Sequence, residues 1–393
     1  MSKLSETSVS TIASPKWWDW DERDIVSEDA ENEVWQRLST YTYEPNIKRY
    51  WDEKGLVCCN EGAVTDWIAG CFRQARAYFS AGNVSPLDIR PLLYYYGTTT
   101  LLAGLSALMQ AQEPPIKGHG MKLNDDSSAT KLSNFQIKIL PEPNGALSHF
   151  TTCFSPESKL AHSGSWSLME IFGSLPDLKA DFKLCYPNTP IFCHAVEPIR
   201  MGKIVVERLS IEDLRQAHGD EKKVFPLIHR AEELYLPQWT ENYLSLSPKL
   251  GQWKEVLSAG WVGLDGRKYL QLGHQKNKQL FMPHLLMFYL IGLYALGFLS
   301  RYKPQTWNPF VLQDKTGERL VIERFLSSAA RNVPNFALDY IQQCRIHFIA
   351  PGADSRSPIL TTQEIESKIA SEVKKQVEAW KRQHFDSGAS PIF

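Results

Sequence analysis

Charge disappears from this chain over residues 285–300, where LLMFYLIGLYALGFLS runs between His284 and Arg301. As a helix, these sixteen residues extend about 24 Å, whereas a bilayer core asks for roughly 20 apolar residues. Pro283 and His284 block an extension, and Tyr289 and Tyr294 fall mid-stretch rather than at interfacial ends. The pattern predicts the buried central helix of a globular protein, not a membrane anchor. A second helical pattern covers 60–81, where Ala63, Trp67, Cys71, Ala75 and Phe79 recur every four residues and Phe72 and Tyr78 widen the stripe. A third begins at Arg90 and Pro91 with PLLYYYGTTTLLAGLSALM, apolar nearly all round, and ends before Pro114 and Pro115. The last two patterns predict an antiparallel helical hairpin.

The period changes between 133 and 210. FQIKIL, PEPNG and ALSHFTTCF predict strand, turn and strand, and IFCHAVEP, IRMG and KIVVERL repeat the signal, with a helix at SWSLMEIFGSL between them. From 210 helical spacing returns in SIEDLRQAH, capped by Ser210, and later in GERLVIERFLSSAARNVP and NFALDYIQQCRIHFI. The last element, 362–382, carries Ile365, Ile369, Val373, Val377 and Trp380 on one stripe behind a Thr361/Glu364 capping box. Such a helix lies in a groove of its own protein or contacts a partner. The predicted fold is mostly α: a large helical globule with a small inserted antiparallel β-sheet, α+β overall. Its regions are a Trp-rich segment (1–25), a helical region (26–130), a β-containing insertion (131–210), a second helical region (211–355) and an amphipathic helix with its tail (356–393).

Charge and cysteine usage narrow the setting. A formal net charge of −1 gives no whole-chain signal for nucleic acid or for a polybasic membrane protein. Seven irregularly spaced cysteines and an N-terminus without an apolar signal core point to a reduced, cytoplasmic protein. Trp17, Trp18 and Trp20 in KWWDWDERD fit two readings: tryptophans folded back onto the body, or an exposed docking peptide for a protein partner.

Chemistry-bearing motifs are sparse. The chain has no phosphate-cradling P-loop, no dinucleotide fingerprint, no H-E-x-x-H, no nucleophile elbow and no C-x-x-C pair, so no cofactor or metal is expected. Cys185, Cys193 and His194 match no zinc spacing. Arg267 and His274, with six residues between them in RKYLQLGH, resemble the Arg/His pair of HEPN ribonucleases, in which a histidine moves a proton and an arginine stabilises phosphorane charge. Here the flanking sequence reads as a loop. In RPLLYYYG, Arg90 precedes three tyrosines that point 100° apart on a helix, so Tyr94–Tyr96 form either a core polar network or the wall of a small-ligand pocket. His119 sits between glycines, and His284 and Arg301 bracket the apolar helix.

AYFSAG, RPLLYYYGTTTLLAGL, HGM, the FQIKI segment and PHLLMFYLIGLYALGFLSRYKPQTW, in this order over about 30–350, resemble the YaaC-like family of bacterial proteins. The resemblance implies a soluble, mostly helical protein, and some members resemble accessory components of anti-phage defence loci. It places the family's polar pattern on Arg90, Tyr94, Tyr95, His119, His284, Arg301 and Trp307. The expected function is a non-enzymatic interaction or regulatory subunit of a multiprotein complex, with a protein partner and a possible homo-oligomer. The alternatives are a ribonuclease using Arg267 and His274, or a ligand or nucleotide sensor at Arg90 and Tyr94–Tyr96.

Overall fold

The computed structural model describes residues 17, 20–124, 131–201, 204–228, 230–249, 260–314 and 317–351. Its helices are α1 (Ala30–Ser39), α2 (Glu44–Lys54), α3 (Glu61–Val84), α4 (Arg90–Gln110), α5 (Ala146–Phe154), α6 (Leu168–Phe172), α7 (Lys179–Cys185), α8 (Ile211–His218), α9 (Ala231–Leu234), α10 (Leu285–Tyr302), α11 (Pro304–Val311) and α12 (Arg319–Gln342). The fold is α-dominated α+β, as the periodicities predict.

The hairpin of α3 and α4 forms where the sequence places it, and glycine sets its closeness. A methyl group at Gly104 would lie 2.7 Å from Cys71 Cβ, and one at Gly97 would lie 2.8 Å from the Phe79 ring. Only bare backbone permits this approach. Trp51 of α2 locks onto the same helix by donating its indole N–H to the Leu108 carbonyl at 2.8 Å. Helix α10 packs against α4 and α12, with 78% of its apolar window buried inside the protein. It passes a membrane helix's test of length and hydropathy, yet its apolar surface is satisfied by protein. His284 starts it, its Nδ1 accepting the Leu286 N–H at 3.0 Å.

The strands are β1 (Asp21–Val26), β2 (Met121–Leu123), β3 (Gln136–Ile139), β4 (Ser165–Ser167), β5 (Cys193–Ala195), β6 (Glu197–Met201), β7 (Ile204–Ser210), β8 (Tyr235–Trp239), β9 (Tyr243–Pro248), β10 (Gly260–Val262), β11 (Lys268–Gln271), β12 (His274–Lys276), β13 (Gln279–Phe281) and β14 (Cys344–Ile349). They form small antiparallel sheets in the orders β2-β3-β4, β10-β11-β5 and β6-β7-β9-β8, with the hairpin β12-β13. The exception is parallel: β1 lies along β14 from Asp21 opposite Cys344 to Val26 opposite Ile349. A main apolar core surrounds α10, and a smaller one under β7, β8 and β9 gathers Leu209, Leu214, Leu244, Leu246 and Leu272.

Three expectations need correction. ALSHFTTCF is helix α5, not a strand; Ala146, Leu147, Phe150, Thr151 and Phe154 are its buried positions, a 3.6-residue spacing. Extended structure does not stop at 210 but continues to Phe281, with β11 and β12 drawn from RKYLQLGH; the Gly-rich stretch before it, 263–266, is a turn, as its sequence suggests. Of the two readings of Trp17 and Trp20, the folded-back one holds and the exposed docking one falls. The two residues are 7% and 6% exposed, Trp17 stacked 4.5 Å from Trp261 and Trp20 edge-on to Tyr340 at 4.8 Å. Trp18 and the stripe of Ile365, Ile369, Val373 and Trp380 lie outside the described residues.

Candidate functional site

The polar residues singled out around α4 resolve into a network rather than a pocket. Arg90 donates from Nε and Nη2 to the Ser85 carbonyl at 3.0 and 2.7 Å, closing the α3–α4 turn. The three tyrosines diverge as their helical spacing requires. Tyr94 donates to Asn83 Oδ1 at 2.6 Å, Tyr95 shares a 2.6 Å hydrogen bond with His119 Nδ1, and Tyr96 accepts from Arg301 Nη1 at 2.7 Å. Burial lowers the His119 pKa, so this imidazole is neutral at pH 7. His284 caps α10 inside a cage of Trp17, Trp261, Phe336 and Tyr340, and Trp307 is fully buried. These groups pin helices together.

Arg267 and His274 do not share a cleft. Arg267 is 74% exposed on the β10–β11 turn beside Asp265, whereas His274 is 2% exposed, with Nε2 2.8 Å from Ser174 Oγ and its ring against Trp166 and Phe192. Burial drives its pKa well below the usual value, and no surface for RNA reaches it. His194 faces His218 rather than Cys185 or Cys193, its Nε2 lying 3.2 Å from His218 Nε2. Among the described residues no three His, Cys, Asp or Glu side chains are grouped to hold a metal.

Polar groups instead converge where motif reading gave no signal, in a cleft of about 520 Å³ between α12, β14 and the β10–β11 turn. Helix α12 presents Arg331, Asn332, Asn335, Phe336 and Asp339 to it, positions four apart on one face. Strand β14 supplies Arg345, Ile346, His347 and Phe348 from the opposite side, and Trp261 closes one end.

Asp339 is 4% exposed and accepts the Ile346 N–H at 2.9 Å on Oδ1. Burial pushes its carboxyl well above the usual range, opposed by that hydrogen bond and by Arg345 and Arg331. Asn335 donates to the Ile346 carbonyl at 3.1 Å, but its Oδ1 is buried without a partner among the described residues. Arg345, also 4% exposed, donates from Nη1 to the Gly260 carbonyl and places Nη2 2.8 Å from Glu22 Oε1 of β1; its Nε has no partner among the described residues. At the far side, Asp177 accepts Leu264 N–H on Oδ1 at 2.7 Å, and Ser328 and Asn332 on Oδ2 at 2.8 and 2.6 Å. Arg331 lays its guanidinium carbon 5.2 Å from the centre of the Phe348 ring, and burial lowers its pKa.

An unmatched buried acceptor, an unmatched buried donor, a carboxyl held toward its neutral form and three aromatic walls equip this cleft to hold a small polar molecule. One signal in the sequence pointed here: Asp339 stands alone in the apolar run NFALDYI, where an acid needs a special environment. Its partner Ile346 N–H lies on β14, and the neighbouring Arg345 takes its own partners from residues 22 and 260, which no local pattern joins.

Fold and cleft together define an α-dominated α+β scaffold that carries a polar cleft. The YaaC-like Protein family model matches residues 42–341, 300 of the chain's 393 residues, and the chain belongs to this family. No curated protein and no solved structure matches it. Both β1 with its tryptophans and β14, one wall of the cleft, lie outside the matched span.

Proposed function

We propose that this protein is a non-enzymatic binding and regulatory protein that holds a small polar ligand in the cleft between α12 and β14. One observation carries the reading: Asn335 and Arg345 line that cleft, and each keeps a buried polar atom, Oδ1 and Nε, without a partner among the described residues. A buried unmatched polar atom costs about 1–3 kcal/mol, and a ligand that supplies the missing partners offsets the cost. The alternative of a sensor at Arg90 and Tyr94–Tyr96 moves to this cleft, because Arg90 is held by the Ser85 carbonyl and the three tyrosines by Asn83, His119 and Arg301.

The regulatory half of the reading has the protein act as a subunit of a larger bacterial assembly, in the setting of anti-phage defence that the family resemblance implies. Support for a protein contact comes from β8, the edge of its sheet, where Leu236 and Trp239 are 53% and 39% exposed. A cytoplasmic site of action is part of the same proposal, supported by the seven free thiols and by the burial of α10.

Thermal denaturation with a metabolite panel tests the binding claim. A ligand at one hundred times its dissociation constant adds about 2.7 kcal/mol of stability. Asn335→Leu, which removes the orphan acceptor, should abolish the shift while the variant stays folded. A shift of equal size in the variant would place the ligand elsewhere.

A further inference from the structure

Resting on the reading of the cleft as a ligand site, the geometry points to its occupant: a small oxyanion with a planar head, whose carboxylate or phosphate docks on the Arg331 guanidinium and whose head hydrogen-bonds at Asn335 and Arg345. Arg331 carries the assignment. It is half-buried on α12, lines the cleft, and makes neither an ion pair nor a hydrogen bond among the described residues. Its guanidinium carbon lies 5.2 Å from the centre of the Phe348 ring, a cation–π contact. Such a contact uses none of the N–H donors, and a guanidinium with its donors uncommitted takes an oxyanion through two parallel hydrogen bonds. Glu31, Asp339 and Asp177 are nearby acids that favour its charge, but none forms an ion pair with it among the described residues: Glu31 accepts from Asn83, Asp339 accepts the Ile346 N–H, and Asp177 is committed to Leu264, Ser328 and Asn332.

The second cation is spent differently. Arg345 is ion-paired with Glu22 through Nη2 and donates from Nη1 to the Gly260 carbonyl, so its charge is already matched and it is not a second anion fork. With Asn335 beside it, the cleft lining offers amide and guanidinium groups to a planar polar head. Phe336 and Trp261 line the same cleft and add apolar surface. Nucleoside monophosphates and hydroxylated aromatic carboxylates share this chemistry.

The test is isothermal titration of the purified full chain with AMP, GMP, CMP, UMP and p-hydroxybenzoate, each beside its neutral counterpart (the nucleosides and p-hydroxybenzamide). At least one anion should bind, and its neutral counterpart should bind at least tenfold more weakly. Arg331→Gln should lower the anion's affinity to that of the neutral counterpart, and Arg331→Lys, which keeps charge without the fork, should recover only part of it. Circular dichroism establishes that both variants are folded; if Arg331→Gln is not, Arg331→Lys and the anion/neutral ratio in the wild type decide alone. Equal binding of anion and neutral counterpart, or an Arg331→Gln variant that keeps full affinity, overturns the oxyanion assignment and leaves the ligand site standing. No binding of any probe to the wild type overturns both.

Discussion

Mild acid should destabilise this protein steeply, because several histidines are buried in their neutral form. His284 is the best defined: burial, aided by the charge of Arg345, lowers its pKa to about 3. His194 and His274 are held well below the usual value by burial, His194 also by His218, Lys179 and Lys183, and His274 also by Lys276 and His218. A histidine with a depressed folded-state pKa contributes stability that is complete above its unfolded value, near 6.5, and is lost as pH falls toward the folded value. Each such group costs about 1.4 kcal/mol per pH unit in that window, so three cost about 4 kcal/mol per unit. Asp339 works in the opposite direction. Its raised pKa makes the folded state gain stability as pH falls through it, offsetting up to one proton's worth wherever that titration lies in the same window. The net slope is about 3–4 kcal/mol per pH unit, against a typical total of about 5–15 kcal/mol. Urea unfolding followed by tryptophan fluorescence at pH 7, 6, 5.5 and 5 reads it directly. The midpoint should fall progressively below pH 6.5, and His284→Asn, which keeps a cap acceptor without a titrating ring, should flatten the slope by about one proton. A midpoint that stays level from pH 6.5 to 5, or an unchanged slope in the variant, refutes the reasoning.

Three further predictions follow from contacts described above. Glu22→Gln leaves the buried Arg345 guanidinium without its carboxylate and should cost about 3–5 kcal/mol in chemical denaturation, with Arg345→Met in the same chain recovering most of it. Trp20→Ala opens a cavity beside Tyr340 and should cost about 3–5 kcal/mol, measured the same way, whereas an exposed docking tryptophan would be worth almost nothing to stability. In a thiol titration at pH 8, exposed Cys59 should react first, and Cys71 and Cys193, buried and pushed up to about 12, should react only on unfolding.

Much of the helical frame was legible because its signals are local. Four-residue recurrence from Ala63 to Phe79 marks α3, the long apolar run marks α10, and Ser210 caps α8 by accepting the Asp213 N–H at 3.3 Å. Helix α5 was misread because ALSHFTTCF is rich in β-formers and follows a turn signal, although its buried positions keep helical period. Strands β8 to β13 span only three to six residues each, too short for alternation to register. The pairing of β1 with β14 joins segments more than 300 residues apart, and it brings Glu22 to Arg345. The cleft suffers from the same distance. Arg331, Asn335 and Asp339 look like an ordinary polar stripe on α12 until β14 and the β10–β11 turn close over them. Arg267 and His274 show the converse: a spacing that suggested chemistry proved to be one exposed turn and one buried strand.

The central claim is that the cleft between α12 and β14 holds a small molecule, and native mass spectrometry of the intact protein purified without denaturation tests it most directly. The account predicts a stoichiometric non-covalent adduct of a few hundred daltons, anionic when released, and absent from Asn335→Leu and Arg331→Gln protein that remains folded. A bare mass under gentle conditions, from protein that also binds none of the anion probes, would contradict it.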